Sequence, residues 1–368
     1  MKVTVCGAGH SAAGMAADIA LMGHQVTMFE LPEFEANIAP IRENGGITLH
    51  GPSQSGKNGF AALADVTVDP VSAFIGAELI MFTVPCYGHE KFMEAIVPYL
   101  EDDQIIVFNT GYWASVRFQE LLKKHNKNVI MAETCLHVYL CRRSGPAEAT
   151  IDAVKQKMLF STMPSNRTEE VLKTVNQIYP QFTPVKDFLD IHFNNLNHMV
   201  HGPIALLNTG LVETLDDKPF YFYRDGATKR VCNLVEAIDK ERVAVAKAVG
   251  IEAKTTLEVQ SDMYGHMGAV GKSIYEVIAG NKADREFNFT PASFVFGLAK
   301  EDVPYGFIPI ISLGEKLGID CPIMKSIVNI QSIVCGIDFW EQGLTMEKLG
   351  LSNMNIEEMR RYLNTGQR

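Results

Sequence analysis

The stretch Lys2-Val3-Thr4-Val5-Cys6-Gly7-Ala8-Gly9-His10-Ser11-Ala12 decides the fold of the N-terminal half of this 368-residue chain. A short β-branched run comes first, and the residues after it follow the pattern G-x-G-x-x-A. A helical run of small residues continues to Leu21, and a second strand over residues 26–29 ends in Glu30. Strand, glycine turn, helix, strand and acid in this order are typical of a dinucleotide-binding unit. The sequence therefore predicts an α/β domain of Rossmann type with a doubly wound parallel sheet.

Each position of the glycine turn has a physical role in binding a dinucleotide. Gly7 permits the tight turn, Gly9 lets the backbone approach the pyrophosphate, and Ala12 lets the helix pack closely on the strand. His10 and Ser11 begin the helix, whose unpaired N–H groups and partial positive charge favour phosphate. We therefore predict that these five residues bind the cofactor.

Glu30 determines the expected cofactor preference. It lies 23 residues after Gly7, where a carboxylate can accept hydrogen bonds from the ribose 2′-hydroxyl. The same charge repels a 2′-phosphate. We therefore expect NAD(H) to be favoured, with NADP(H) as the second option.

Three apolar runs continue the alternation of strand and helix, over residues 78–84, 104–108 and 128–132. Such strands are typical of a parallel sheet that is covered on both faces. Because ligands bind at the carboxyl ends of these strands, the residues that follow them are candidates for the site. We predict cofactor contacts at Val84, Pro85, Asn109 and Gly111 and a substrate contact at Glu133, although each could equally be an ordinary loop residue.

The composition excludes several other classes of protein. The length predicts two or three domains, and 33 basic against 43 acidic residues give a formal charge of −10, which disfavours nucleic-acid binding. No uncharged apolar run is long enough for a membrane span. The seven cysteines contain no Cys-x-x-Cys pair, which indicates free thiols. We therefore expect a cytoplasmic protein with no membrane or nucleic-acid partner.

The strand signals fade near residue 187. An amphipathic helix over 168–179 and a strand over 182–185 close the first half, and helical spacing follows. We therefore predict a Rossmann domain over 1–187 and a helical substrate and catalytic domain over 188–368, with the substrate in the cleft between them.

The segment 191–212 contains no charged residue but many Asn and His residues. On one helix, Asn194, Asn197 and His201 would share a face. An uncharged polar face is typical of a buried cleft, where amides can be fully hydrogen-bonded. We expect Gly202-Pro203 to interrupt this helix beside His201.

Three roles are open for His198 and His201. They could form a His-x-x-His metal pair, but no acidic or cysteine ligand lies nearby in the sequence, so we predict no metal. They could be core histidines, or one could be a general acid–base. Asp302, in Glu301-Asp302-Val303-Pro304, could simply cap a helix.

A further amphipathic helix is predicted over residues 234–249, with Gly250 as its C-terminal cap. Its charged residues are expected to form a solvated face: Glu236, Asp239, Lys240, Glu241 and Arg242.

Taken together, these motifs resemble the opine dehydrogenases, the octopine/nopaline dehydrogenase group, over essentially the whole chain. The most specific matches are Asn197 to His201 followed by Pro203, Tyr223-x-Asp225-Gly226-x-Thr228, Asp239-x-Glu241-Arg242, Glu301 to Pro304 and the Glu347 to Leu351 tail.

The resemblance implies an oxidoreductase that condenses an amino acid or amine with a 2-oxo acid such as pyruvate and reduces the product with NAD(P)H. It maps the family's catalytic histidine onto His201 and the partner aspartate onto Asp302. An imidazole can donate or accept a proton at neutral pH, and a carboxylate fixes its tautomer. We add Asn197, Tyr223 and Thr228 as substrate contacts, and we consider a homodimer as one option for the assembly.

Two departures from the family pattern leave the amino substrate open. The family has an arginine shortly before the Glu-Asp-Val-Pro stretch, whereas residues 294–300 contain none, and Lys229 stands where the family often has proline. Lys229, Arg230 or Lys300 could supply the positive charge, although lysine is not a bidentate clamp.

Two alternative functions stay open. One is a ketone or 2-hydroxy acid reductase of the ketopantoate or glycerol-3-phosphate dehydrogenase type. Those enzymes use a lysine in the substrate domain, whereas the polar face of Asn194, Asn197 and His201 has none. The other is a catalytically silent NAD(H) sensor, which would need the glycine turn and Glu30 but no His–Asp pair.

Overall fold

A computed structural model describes residues 1–215, 218–283, 288–289 and 297–367, with the backbone alone described at 288–289. Two compact units are present: Met1–Ile191 with Leu363–Gly366 forms the first, and His192–Tyr362 forms most of the second. The first unit thus ends slightly later than residue 187 and includes a short C-terminal segment.

The first unit contains twelve strands, which form two sheets. In chain order the strands are β1 (Lys2–Cys6), β2 (Gln25–Phe29), β3 (Gly46–His50), β4 (Gly59–Ala62), β5 (Asp65–Thr67), β6 (Leu79–Phe82), β7 (Ile105–Phe108), β8 (Ile130–Thr134), β9 (Tyr139–Gly145), β10 (Glu148–Val154), β11 (Met158–Met163) and β12 (Phe182–Pro184).

The larger sheet has the order β12-β11-β8-β7-β6-β1-β2-β5. Its neighbouring strands are parallel, except that β8 and β11 are antiparallel. Every residue of β6 and β7 is buried, as their apolar runs predict. The predicted parallel α/β sheet is therefore confirmed. β1 lies between β2 and β6, so the chain order reverses at its carboxyl end, which is where open α/β sheets bind ligands.

The helices up to residue 193 are α1 (His10–Leu21), α2 (Ala39–Asn44), α3 (Pro70–Phe74), α4 (His89–Ile96), α5 (Ala114–Lys124), α6 (Thr168–Val175) and α7 (Leu189–Phe193). Helix α6 ends four residues before its predicted end, and the chain then turns so that Tyr179 is fully buried.

A second sheet, which the sequence analysis did not predict, has the order β4-β3-β10-β9. Helix α1 contacts strands of both sheets, so every residue from Ala12 to Ile19 is buried. Asp18 lies within this layer, and its carboxylate accepts hydrogen bonds from the Tyr139 hydroxyl (2.6 Å) and the backbone N–H of Gln54 (2.8 Å). The small residues after the glycine turn are therefore required because the helix is covered on two sides.

The second unit is helical. Its helices are α8 (Asn197–Glu213), α9 (Phe222–Gly226), α10 (Lys229–Ala248), α11 (Thr256–Tyr264), α12 (Ile274–Gly280), α13 (Leu298–Asp302), α14 (Ile308–Lys316), α15 (Pro322–Cys335), α16 (Phe339–Gln342) and α17 (Ile356–Thr365), and β13 (Phe220–Tyr221) pairs with β14 (Asn288–Phe289). A π-helical turn over Val303–Phe307 joins α13 to α14. Packed side chains from α8, α9, α10 and α12 form a core that includes Ile204, Phe222, Val235 and Ile274.

Two predictions for these helices are wrong. Gly202-Pro203 does not interrupt α8, which continues to Glu213. The charges of α10 are not all solvated, because Arg242 is fully buried and donates to Asp239 Oδ1 (2.7 Å from Nη2), with further bonds to the carbonyls of Phe193 and Lys254. A buried guanidinium is tolerated here because its donors find a carboxylate and two carbonyls.

Within the described ranges, no helix combines the length and the apolar character needed to cross a membrane.

Candidate active site

The glycine turn at the end of β1 leaves space beside the backbone. Gly7 has a φ of +99°, which favours glycine, and a Cβ at Gly9 would meet nothing within 4 Å. Helix α1 starts at the next residue without a side-chain cap and without an acidic residue in its first turn. The arrangement fits a diphosphate, which would accept hydrogen bonds from the first N–H groups of the helix.

Glu30 follows β2 and is 7% exposed. Its Oε1 accepts the Leu31 N–H (2.9 Å), and burial raises the pKa of the carboxyl above its usual range, partly opposed by hydrogen bonds from the Leu31 and Ala8 amides. The carboxylate is thus tied to the glycine turn. This position fits the predicted contact with an adenine ribose.

The other predicted residues of the turn have protein partners of their own. The Nδ1 of His10 accepts the Arg143 N–H (2.9 Å), which leaves the ring exposed on its other side. The Ser11 hydroxyl is hydrogen-bonded to the Cys141 thiol, and Ala12 is fully buried, which fits its predicted packing role.

The structure brings Asn109, Gly111 and Glu133 together at the carboxyl ends of β7 and β8. The Asn109 side chain is buried, donates to Val107 O (3.1 Å) and accepts from the Thr134 hydroxyl (3.3 Å). The Gly111 amide donates to Thr134 O (3.2 Å). These side chains hold the turn together, so any contact of Asn109 with a cofactor stays a prediction.

Glu133 lies beneath this turn and is fully buried. Its Oε1 accepts the Ser115 N–H (2.8 Å), and burial raises the pKa of the carboxyl to about 7, opposed by hydrogen bonds from Ser115 and Trp113. The predicted substrate contact of Glu133 is not visible in this arrangement and stays a prediction. At the end of β6, Val84 is half-buried and Pro85 is exposed.

His201, on α8, lies between two partners. Its Nδ1 is 3.0 Å from Asp302 Oδ2, and its Nε2 is 3.1 Å from the Tyr223 hydroxyl. A carboxylate can only accept, so Nδ1 carries the hydrogen, and the neutral ring then accepts the Tyr223 O–H at Nε2. The structure thus joins three predicted residues in one hydrogen-bonded chain from carboxylate to phenol.

Close packing of α8 against the π-helical turn places Asp302 beside His201. A Cβ at Gly202 would come within 2.6 Å of the Phe307 ring, and a Cβ at Gly306 would come within 2.5 Å of the His198 ring. Each glycine therefore receives an aromatic side chain from the opposite segment. Asp302 is 3% exposed, so its carboxylate is shielded from water.

His198 has a structural environment. Its ring is 1% exposed, packs edge-on against Phe307 at 5.1 Å, and has its pKa lowered to about 3 by burial. It is therefore a neutral core histidine, which was one of the three roles left open. No group of three or more His, Cys, Asp or Glu residues that could hold a metal occurs in the described part of the chain.

Of the three residues predicted to share a polar helix face, Asn194, Asn197 and His201, only Asn197 and His201 lie on one helix. Asn194 does not belong to α8, because α7 ends at Phe193 and α8 begins at Asn197, so its predicted place on this helix face is wrong. The Asn197 amide N–H is bonded to Asn195 Oδ1 (3.2 Å). Its half-buried side chain, one helical turn before His201, has no hydrogen-bond partner among the described residues, which suits a substrate contact.

Thr228 caps α10, since its hydroxyl accepts the Val231 N–H (3.4 Å). Of the possible carboxylate-binding cations, the Lys229 ammonium lies 5.4 Å from the centre of the Tyr275 ring, and Arg230 and Lys300 are exposed. Residues 294–296, which begin the arginine-free stretch 294–300, lie outside the described residues.

Comparison with known proteins identifies the chain's relatives. Residues 184–335 match the family described as NAD/NADP octopine/nopaline dehydrogenase, alpha-helical domain. An opine dehydrogenase of Arthrobacter sp. (strain 1C) is 29% identical over 359 residues, which cover 97% of each chain.

Solved structures share the fold. Octopine dehydrogenase with NADH and agmatine has a TM-score of 0.77 at 21% identity, covering 100% of this chain and 98% of that one. A ketopantoate reductase from Ralstonia eutropha JMP134 has a TM-score of 0.59 at 17% identity, covering 93% of this chain and all of that one.

These findings define the class: the chain is an NAD(P)-dependent oxidoreductase with a Rossmann-type domain and a helical domain. Over 97% of its length the chain is similar to an opine dehydrogenase, and its residues 184–335 match the helical domain of the octopine/nopaline dehydrogenase group, which confirms the resemblance predicted from its sequence.

Proposed function

We propose that this protein is an opine-type dehydrogenase. It joins the amino group of an amino acid or amine to the keto carbon of a 2-oxo acid such as pyruvate, and it reduces the resulting imine to a secondary amine at the expense of NADH. The observation that carries the proposal is the hydrogen-bonded chain of Asp302, His201 and Tyr223. Relatives of the chain are named for this chemistry, and octopine dehydrogenase has been solved with NADH and L-arginine or pyruvate.

The glycine turn, the start of α1 and Glu30 would hold the cofactor. The open space at Gly9 and the uncapped helix N-terminus receive the diphosphate, and the Glu30 carboxylate receives the ribose hydroxyls. When bound, the nicotinamide supplies the hydride. Because Glu30 repels a 2′-phosphate, we propose NADH as the preferred form.

His201 and Tyr223 would move the protons. Condensation moves two protons from the amine nitrogen to the keto oxygen, which leaves as water, and reduction of the imine requires one further proton at the nitrogen. In the neutral state His201 accepts the phenol proton at Nε2, so it can take up a proton that passes from the substrate through Tyr223 Oη. The imidazolium that forms is stabilised by Asp302, which is buried and therefore acts in a medium of low polarity. The proton returns by the same route to the leaving oxygen.

Asn197 would orient the substrate. It lies four residues before His201, so the two side chains project from the same face of α8. Its amide can donate to a carboxylate oxygen and accept from an ammonium group. This is one contact for a substrate that carries both groups.

A two-substrate assay tests the proposal. NADH oxidation is followed with pyruvate alone, with each of a panel of amino acids and amines alone, and with both together; the panel includes L-arginine and agmatine. We expect oxidation to require both partners and the product to be a secondary amine, identified by mass spectrometry. Oxidation with the oxo acid alone would favour a simple ketone reductase. NADH binding without oxidation across a broad panel would favour the NAD(H) sensor.

A further inference from the structure

Arg143 lies beside the glycine turn although it belongs to the second sheet. From β9, its Nη1 donates to Ala8 O (3.1 Å) and Asn37 O (2.9 Å), and its Nη2 donates to Pro146 O (2.5 Å). Ala8 is the middle residue of the Gly-Ala-Gly turn, and Asn37 lies in the segment that follows Glu30. The guanidinium is therefore attached to both loops that the proposed cofactor site uses.

The positive charge of Arg143 is not neutralised within the described residues. All three of its hydrogen-bond acceptors are neutral carbonyl oxygens, and it makes no ion pair there, whereas the neighbouring Arg142 pairs with Asp152. Partial burial lowers the pKa of the Arg143 guanidinium. A cation is thus held in one place without a counterion.

The backbone of Arg143 also contacts the first residue of α1. Its N–H donates to Nδ1 of His10 (2.9 Å), so the neutral ring carries its hydrogen on Nε2. Burial and the Arg143 charge both lower the pKa of His10, which keeps the ring neutral. β9 is therefore attached to the end of α1 whose first N–H groups have no side-chain cap.

Two donors of the guanidinium stay available. An arginine has five N–H groups, and three are used by the carbonyl oxygens of Ala8, Asn37 and Pro146. The N–H of Nε and one N–H of Nη2 have no acceptor among the described residues. Such N–H groups of one guanidinium are suited to the oxygens of a phosphate, and the bond is strengthened by the opposite charges.

We propose that Arg143 binds the diphosphate of the dinucleotide, so that the second sheet contributes a cation to a site otherwise built from the glycine turn. The inference rests on the proposed function in that it requires a bound dinucleotide. It adds an ionic contact to the backbone and helix contacts of a Rossmann turn, and it gives the second sheet a role in cofactor affinity.

Binding titrations with three probes test this role. NADH and ADP-ribose carry the diphosphate, and adenosine, measured by competition against NADH, carries no phosphate. We expect Arg143→Gln to weaken the binding of NADH and of ADP-ribose by about tenfold or more at low salt, because a charge-assisted hydrogen bond is lost. We expect adenosine to bind within about twofold of wild type, and the difference for ADP-ribose to shrink at high salt because ions screen the contact.

Two further variants separate charge from structure. Arg142→Gln removes the same charge from the adjacent residue and should leave all three affinities within about twofold of wild type. Arg143→Lys keeps the charge but loses the paired N–H donors of the guanidinium. Its affinities for NADH and ADP-ribose should therefore lie between those of wild type and Arg143→Gln. Thermal melting of each variant reports whether the fold is retained.

The results that would overturn the inference are distinct from those that would overturn the proposed function. Equal affinity of wild type and Arg143→Gln for ADP-ribose, or a parallel loss of adenosine binding, would show that Arg143 has no specific contact with the diphosphate. Failure of the wild-type protein to bind NADH and ADP-ribose at all would reject the proposed cofactor and this inference together.

Discussion

The Nδ1 atom of His201 lies 3.0 Å from Oδ2 of Asp302, although 101 residues separate them in the chain. Asp302 is buried and His201 is partly exposed, with 17% of its side chain accessible. The Asp302 carboxylate therefore accepts the hydrogen of Nδ1, and the other ring nitrogen, Nε2, faces the Tyr223 hydroxyl.

Replacing Asp302 by asparagine should impair turnover without impairing cofactor binding. An amide can donate to Nδ1, which would favour the wrong tautomer, and it cannot stabilise an imidazolium. We expect kcat to fall by about 10²- to 10⁴-fold while the Kd for NADH stays within about twofold of wild type. Steady-state kinetics and fluorescence titration measure both. Glu301→Gln, one residue earlier, is the control, and near-normal kcat in Asp302→Asn would reject the pairing.

Tyr223 should be required for proton transfer. Tyr223→Phe removes the hydroxyl that lies 3.1 Å from His201 Nε2 and leaves the ring in place. We expect kcat for condensation to fall by about a hundredfold, with NADH affinity unchanged. Tyr221→Phe is a suitable control, because that ring instead faces the Arg224 guanidinium at 3.6 Å. If the two variants have the same kcat as wild type, the proton does not pass through the phenol.

Glu30 should discriminate between the two cofactors. We expect Glu30→Ala to weaken NADH binding by about tenfold, because a hydrogen bond to a charged group is lost. The difference in affinity between NADH and NADPH should also become smaller. Because the pKa of Glu30 is raised, its charge is lost at a higher pH than for an ordinary glutamate. The wild-type preference for NADH should therefore narrow as the pH falls, whereas that of the variant should not.

The control for Glu30 is Glu33→Ala, which removes an exposed glutamate that pairs with Lys91. Competitive titration of NADH and NADPH at several pH values provides the comparison. An unchanged affinity ratio in Glu30→Ala would mean that the carboxylate does not contact the ribose.

Glu133 should make the first unit less stable as the pH rises. Its pKa is about 7 in the folded protein against 4.5 for an ordinary glutamate. The folded state therefore binds more protons than the unfolded state between these values, and stability falls as the pH rises from about 4.5 to 7. Glu133→Gln cannot ionise, so its stability relative to wild type should improve over this range, by about 1–3 kcal/mol.

Urea unfolding at pH 5 and pH 8 measures the effect for Glu133→Gln. Glu120→Gln, an exposed glutamate on α5 that pairs with Lys123, serves as the control. An equal difference from wild type at the two pH values would contradict the raised pKa.

The first domain could be predicted because its signals are local. The glycine turn and the apolar runs of β6 and β7 are contiguous in the sequence, and their burial follows from their composition. The second sheet gave no such signal, since strands such as β9, Tyr-Leu-Cys-Arg-Arg-Ser-Gly, contain charges and glycine. One indication was present: a helix with no polar face, such as α1, must be covered on more than one side.

The helical unit shows where periodicity fails. Spacing alone suggests that Asp239 and Arg242 are solvated, because charges usually face water, but the pair lies inside and holds the Phe193 carbonyl just before α8. The pairing of His201 with Asp302 has no local signal. It depends on the contact of α8 with the π-helical turn, and only the resemblance to a family indicated it beforehand.

The central claim is that His201 transfers the protons of condensation, and the most direct measurement compares His201→Ala with wild type in two assays on the same preparations. His266→Ala, an exposed histidine of the same unit, is the control. We predict that His201→Ala binds NADH with wild-type affinity but loses NADH oxidation with pyruvate and the amino substrate by at least about a hundredfold. Wild-type oxidation by His201→Ala would contradict the account.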